Sequence, residues 1–61
     1  MSNTVNLSAQ TRSGTWVEIM NCQNSPNVIS QMLDKILEND NYKKTKAVDP
    51  ATGELVDLMI G

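Results

Sequence analysis

Tyr42 and three lysines stand almost side by side in this sequence, and their types suit the binding of a ligand. The lysines are Lys43, Lys44 and Lys46, and Arg12 could add a further positive charge. Ammonium groups hold phosphates, and a neighbouring aromatic ring can stack on a base. The segment therefore predicts a site for an anionic nucleotide, or else a solvated edge strand whose lysines discourage aggregation.

The carboxylates and the cysteine of the sequence do not form a recognisable metal-binding or catalytic pattern. The acidic residues of the C-terminal half are Asp34, Glu38, Asp40, Asp49, Glu54 and Asp57. A calcium loop needs spaced ligands around a central glycine, and Asp40-Asn41 has neither, so we predict no metal site. Cys22 is the only cysteine and the chain has no histidine, which excludes an internal disulfide and leaves a thiol nucleophile without its usual base. We predict neither an enzyme nor a bound cofactor.

The elements that position these side chains follow from periodicity and turn residues. Apolar and polar residues alternate near the N-terminus, as in a half-buried strand. A three-residue loop with Gly14 in the left-handed conformation sets Ala9 opposite Val17. The same register sets Leu7 opposite Ile19 and gathers the aliphatic side chains on one face, whereas a four-residue loop would scatter them.

Ser25-Pro26 predicts the start of a helix, because serine is a favoured N-cap and proline a favoured first residue. Apolar residues then recur at helical spacing and predict one stripe that packs on the sheet. The stripe comprises Val28, Ile29, Met32, Leu33, Ile36 and Leu37. The segment 38–41 is expected to end the helix, since asparagine tolerates the left-handed conformation.

The segment 50–53 predicts a four-residue hairpin loop, because its proline presets one turn position and its glycine closes the turn. The resulting pairs are Asp49–Glu54, Val48–Leu55, Ala47–Val56, Lys46–Asp57 and Thr45–Leu58. This register turns Val56, Leu58 and Ile60 towards the helix. It also predicts a cross-strand ion pair between the lysine and the aspartate.

The order ββαββ predicts an α+β, two-layer domain: a four-stranded, mainly antiparallel sheet with one helix packed on one face. We predict a single small domain over residues 1–61, with hairpins over 4–22 and 44–60 and a helix over 26–38. The order is compatible with a β-grasp-like or a simpler two-layer arrangement and leaves the strand order open.

Composition narrows the partners. The net charge of −2 creates no field that would recruit nucleic acid or an anionic membrane. The N-terminus lacks the basic and apolar regions of a signal peptide, and the longest apolar run is too short to span a membrane. We therefore expect a cytoplasmic protein without a nucleic-acid or membrane partner.

The expected register leaves a set of apolar side chains on the uncovered sheet face. These are Trp16, Met20, Val48, Leu55 and Met59. Contiguous apolar patches mark interfaces, and Trp and Met are enriched there, although scattered exposed apolar residues are common. A 61-residue chain also gains little stability from its own core, so we expect a homo-oligomer.

Two functions of different classes fit these features. The first is a small non-enzymatic interaction protein, an inhibitor or adaptor of the kind that phages and bacteria encode as short chains. It would act as a homo-oligomer through the uncovered face and bind a protein partner. The second is a ligand-sequestering protein that holds an anionic nucleotide at its oligomer interfaces. Arg12 and the lysines would bind the phosphates, and Trp16 or Tyr42 would stack on the base.

Overall fold

The computed structural model describes residues 3–61 and confirms the ββαββ order and the α+β, two-layer fold. Its elements are β1 (Thr4–Thr11), β2 (Trp16–Gln23), α1 (Pro26–Leu37), β3 (Tyr42–Val48) and β4 (Leu55–Ile60). The first two residues of the predicted domain lie outside the described part. Each neighbouring pair in the sheet is antiparallel, and the strand order is β2-β1-β3-β4.

The core lies between α1 and the two central strands. Val5, Leu7 and Ala47 of the sheet pack with Ile29 and Leu33 of the helix, and all five side chains are buried. The predicted helical stripe therefore faces the sheet, because apolar residues at this spacing form one continuous side of a helix. Most of the other apolar residues in the sheet lie on the outer strands, beyond this core.

Both predicted hairpin loops are present. Thr11 and Thr15 close a three-residue loop, with a hydrogen bond of 2.8 Å from Thr11 N–H to the Thr15 carbonyl, and Gly14 has a φ of 99°. In the second hairpin, Asp49 N–H donates to the Glu54 carbonyl at 2.9 Å. Gly53 there has a φ of 75°. Glycine suits both positions because it has no Cβ to clash in the left-handed region.

In each hairpin, the pairs next to the loop are as predicted, and a β-bulge further along the strand changes the register of the remaining pairs. In β2 the pairing Ala9–Val17 holds as predicted, but the next helix-facing residue, Leu7, lies opposite Met20. The predicted partner, Ile19, is the extra residue of a bulge. An extra residue in one strand moves every later side chain by one position along that strand.

The second hairpin carries the same kind of correction. Val48 lies opposite Leu55 as predicted, and then Val56 is the extra residue. The remaining observed pairs are Ala47–Asp57, Lys46–Leu58, Thr45–Met59 and Lys44–Ile60. The predicted pairing of Lys46 with Asp57 is therefore wrong, and with it the predicted cross-strand ion pair.

The helix ends also differ in detail from expectation. α1 begins at Pro26 after an extended Ser25, as predicted, but the Ser25 side chain makes no capping hydrogen bond. Among residues 3–61 only glycines have a positive φ, so no asparagine takes the expected left-handed conformation. Instead, Asn39 acts through its side chain: its Oδ1 accepts the Asn41 N–H at 3.0 Å. Asparagine side chains form such turns because they can replace a backbone carbonyl.

Candidate functional site

The candidate site is the sheet face opposite α1, which we call the open face. Side chains alternate along a strand, and residues directly opposite each other across a ladder share a face. The buried residues of β1 and β3 face α1, so the residues between them lie on the open face. These are Asn6, Ser8, Gln10, Lys44, Lys46 and Val48, with their cross-strand partners Trp16, Glu18, Asn21, Leu55, Leu58 and Ile60.

The open face has two halves of different character. On β3 and β4 it carries four aliphatic side chains, which we call the apolar half: Val48, Leu55, Leu58 and Ile60. On β1 and β2 it is mainly polar, except for Trp16 at one end. Lys44 and Lys46 lie between the halves. The three β4 side chains are between 46% and 65% exposed, which for large apolar residues is unfavourable in water.

Two predicted members of the patch lie on the other face. Met20 is opposite the buried Leu7, and Met59 is opposite the buried Thr45 and packs against the core. The expected placement of Met20 and Met59 on the uncovered face is therefore wrong. The predicted positions of Trp16, Val48 and Leu55 on that face agree with the observed register.

Leu58 and Ile60 take the places of the two methionines. They were expected to face the helix, and the bulge at Val56 turns them to the open face instead. The spacing Leu55-x-x-Leu58-x-Ile60 departs from strict alternation and is the sequence signal compatible with such a bulge. The spacing alone does not say which residue is the extra one.

Trp16 and Lys46 contact each other on the open face. The Lys46 ammonium lies 4.3 Å from the centroid of the Trp16 ring, which is the distance of a cation–π interaction. Trp16 is on β2 and Lys46 is on β3, so the lysine side chain spans β1 to reach the ring. The contact leaves the tryptophan 37% exposed.

The predicted ligand-binding residues are brought together only in part. Lys44 and Lys46 share the open face with Trp16. Arg12 is held elsewhere, because its Nε donates a hydrogen bond of 2.6 Å to the Asp40 carbonyl and ties the first hairpin loop to the segment before β3. Lys43 and Tyr42 lie at the start of β3.

A bulge separates these two residues from the other lysines. Tyr42 is opposite Thr11 and Lys44 is opposite Gln10, so Lys43 is an extra residue outside the regular pairing. Its carbonyl accepts the Gly61 N–H at 3.0 Å. The five predicted ligand residues therefore do not form one convergent cluster.

Cys22 lies near the C-terminal end of β2 and packs against the core. Burial raises the pKa of its thiol, because desolvation disfavours the thiolate. A raised thiol pKa is the opposite of what a nucleophilic cysteine needs at neutral pH. Among residues 3–61, no group of three cysteine or carboxylate side chains is placed to hold a metal ion, and no cavity is enclosed.

The chain matches no family model, no curated protein and no solved structure. Within residues 3–61, α1 is too short and too polar to cross a membrane, and it is the sole α-helix there.

Proposed function

We propose that this chain is a small non-enzymatic interaction protein, an inhibitor or adaptor, that assembles as a homo-oligomer through the open face. The observation that supports this proposal is the apolar half: Leu55, Leu58 and Ile60 lie exposed beside one another on a sheet face that no helix covers. Exposed apolar patches of this kind are typical of protein interfaces.

A second copy of the chain is the occupant that suits this face. Four strands about 4.8 Å apart and about seven residues long give a face of roughly 19 by 23 Å. That area, roughly 440 Å² per partner, is the size of a weak or transient interface, a class that buries less than about 600 Å² per partner. The face also carries both signs of charge, Glu18 on β2 and two lysines on β3, so identical copies can pair opposite charges.

Sedimentation over about a hundredfold range of protein concentration tests the proposal, since self-association depends on concentration. Trp16→Ala and Leu58→Glu should both shift the protein towards monomer. Truncation of a hot-spot tryptophan typically costs about 2 kcal/mol or more, and a symmetric dimer buries two copies, so the dimer should weaken by roughly a thousandfold.

Ser30→Glu is the matched control for Leu58→Glu. It introduces the same charge at an exposed position of α1, away from the open face, and should sediment as the wild type does. A wild-type protein that stays monomeric at the highest concentration would contradict the proposal. Equal effects of Ser30→Glu and Leu58→Glu would contradict it as well.

A second candidate function is the sequestration of an anionic nucleotide, and the placement of Lys44 and Lys46 beside Trp16 favours it. In this proposal the two ammonium groups bind phosphates and the exposed part of the tryptophan stacks on the base. Association of two open faces would bring two such sets of groups together. The scatter of Arg12, Tyr42 and Lys43 makes this candidate the weaker of the two.

Titration calorimetry with nucleoside mono-, di- and triphosphates tests the second candidate. Lys44→Gln and Lys46→Gln should abolish the binding heat, while Lys35→Gln removes the same charge from the exposed side of α1 and should leave it unchanged. If no nucleotide gives heat with the wild type, the nucleotide proposal is wrong. Sedimentation of the same variants shows whether assembly also depends on the lysines.

A further inference from the structure

β4 is an edge strand with the composition of an interior strand. Five of its six residues are apolar, and its one neighbour is β3. Edge strands usually carry lysine, proline or a bulge, because free backbone groups on an apolar strand invite pairing with another chain. β4 contains neither lysine nor proline. Its bulge at Val56 is followed by Leu58, Met59 and Ile60 in regular pairing with β3. A second copy of this chain offers an equally apolar β4, so the free edge after the bulge needs further protection.

The ladder between β3 and β4 shows which backbone groups are free. Gly61 N–H donates to the Lys43 carbonyl, and hydrogen-bonded pairs recur at every second residue of an antiparallel ladder. The backbone of Met59, opposite Thr45, therefore points towards β3. The backbone N–H of Leu58 points the other way, to the free edge.

The side chain of Asp57 binds this outward N–H. Its Oδ1 accepts the Leu58 N–H at 2.8 Å, so the outward donor is already used within the chain. Val56, directly before it, is the extra residue of the bulge, which interrupts regular pairing on the same half of the strand. A strand that paired with β4 would have to break the bond to Leu58 and desolvate the carboxylate, which is unfavourable without a new partner.

We propose that Asp57 prevents β4 from pairing edge to edge with β4 of a second copy and thereby directs assembly to the open face. Only the second part rests on the proposed function. Antiparallel pairing of two β4 strands about a two-fold axis near mid-strand would also bring two Asp57 carboxylates to one junction. Like charges on paired strands repel each other.

Asp57→Val tests the protective role, because valine suits a strand but neither accepts the Leu58 N–H nor carries charge. Sedimentation should show larger assemblies that grow with concentration, with self-association tightened at least about tenfold, since burying an unpaired charge costs more than one tenfold step in affinity. Glu54→Val is the matched control. It makes a comparable chemical change at the exposed residue directly before β4 and should associate as the wild type does.

The same substitution in a Trp16→Ala background separates this inference from the proposed function. Asp57→Val should restore association there, because edge pairing does not need the tryptophan. If the wild type is monomeric, the proposed function fails, yet assemblies formed by Asp57→Val would still support the protective role. If Asp57→Val sediments like the wild type, or Glu54→Val associates equally strongly, the protective role is wrong.

Asp57→Asn covers the case in which the valine variant does not fold, as judged by circular dichroism. Asparagine keeps the acceptor oxygen and the side-chain shape but removes the charge. A smaller but measurable increase in association is expected, because only the repulsion is lost. No increase at any concentration would overturn the inference.

Discussion

Gly53 offers a direct test of the turn that joins β3 and β4. Its φ is 75°, and a Cβ added there would meet no heavy atom within 4 Å. The effect of Gly53→Ala is therefore conformational rather than steric, about 1–2 kcal/mol for an L-residue held in the left-handed region. Domains of this size lose roughly 4–8 °C in melting temperature per kcal/mol, so the midpoint should fall by about 4–16 °C.

Thermal unfolding followed by circular dichroism measures this effect. All variants must be compared at one protein concentration, because self-association makes the melting temperature depend on concentration. Gly53→Asn should recover part of the loss, since asparagine tolerates the left-handed conformation better than alanine does. Ala51→Ser changes an exposed residue of the same turn and should stay within about 0.5 kcal/mol of the wild type.

Gly14 provides a second arm with a different expected size. Its φ of 99° is further from the left-handed minimum near 57°, so Gly14→Ala should cost more than Gly53→Ala, and asparagine should rescue it less. An unchanged midpoint for Gly53→Ala, or an equal fall for Ala51→Ser, would contradict the left-handed conformation of Gly53 as the source of the effect.

Other predictions concern the core, the thiol and the loop contact. Leu33→Ala removes a fully buried side chain and should lower the free energy of unfolding by about 2–5 kcal/mol in urea titrations. A loss below about 1 kcal/mol would show that the core does not depend on this side chain. The raised pKa of Cys22 means that the protonated thiol stabilises the fold at pH values below its ordinary pKa of 9.0. That stability is lost as the pH rises through the raised value. Alkylation of the Cys22 thiol should be slower in the folded protein than in an unfolded control, and equal rates would contradict its burial. Arg12→Met removes the hydrogen bond to the Asp40 carbonyl and should cost about 1 kcal/mol or slightly more in thermal melts, whereas an unchanged midpoint would assign the contact no role in stability.

The open face illustrates which features local sequence can predict. Gly14 and Gly53 locate both loops, because turn geometry depends on a few neighbouring residues and on the freedom of glycine. Val48 and Leu55 were placed correctly because they lie next to such a loop. The apolar stripe of α1 is equally predictable from the sequence, since its spacing reflects helix geometry alone. The fold class followed from these elements and their order.

Tertiary structure decided the position of the bulges and the register of the residues that follow them. Neither Ile19 nor Val56 is a glycine, and nothing in its immediate neighbourhood marks either one as the extra residue of a strand. A bulge forms where pairing with a neighbouring strand and packing on the helix are satisfied together, so it depends on residues far away in sequence. Since side chains alternate along a strand, one extra residue exchanged the faces of Met59 and Leu58. The same shift removed Asp57 from Lys46 and placed its carboxylate on the free edge of the sheet, because register and not composition sets which groups meet.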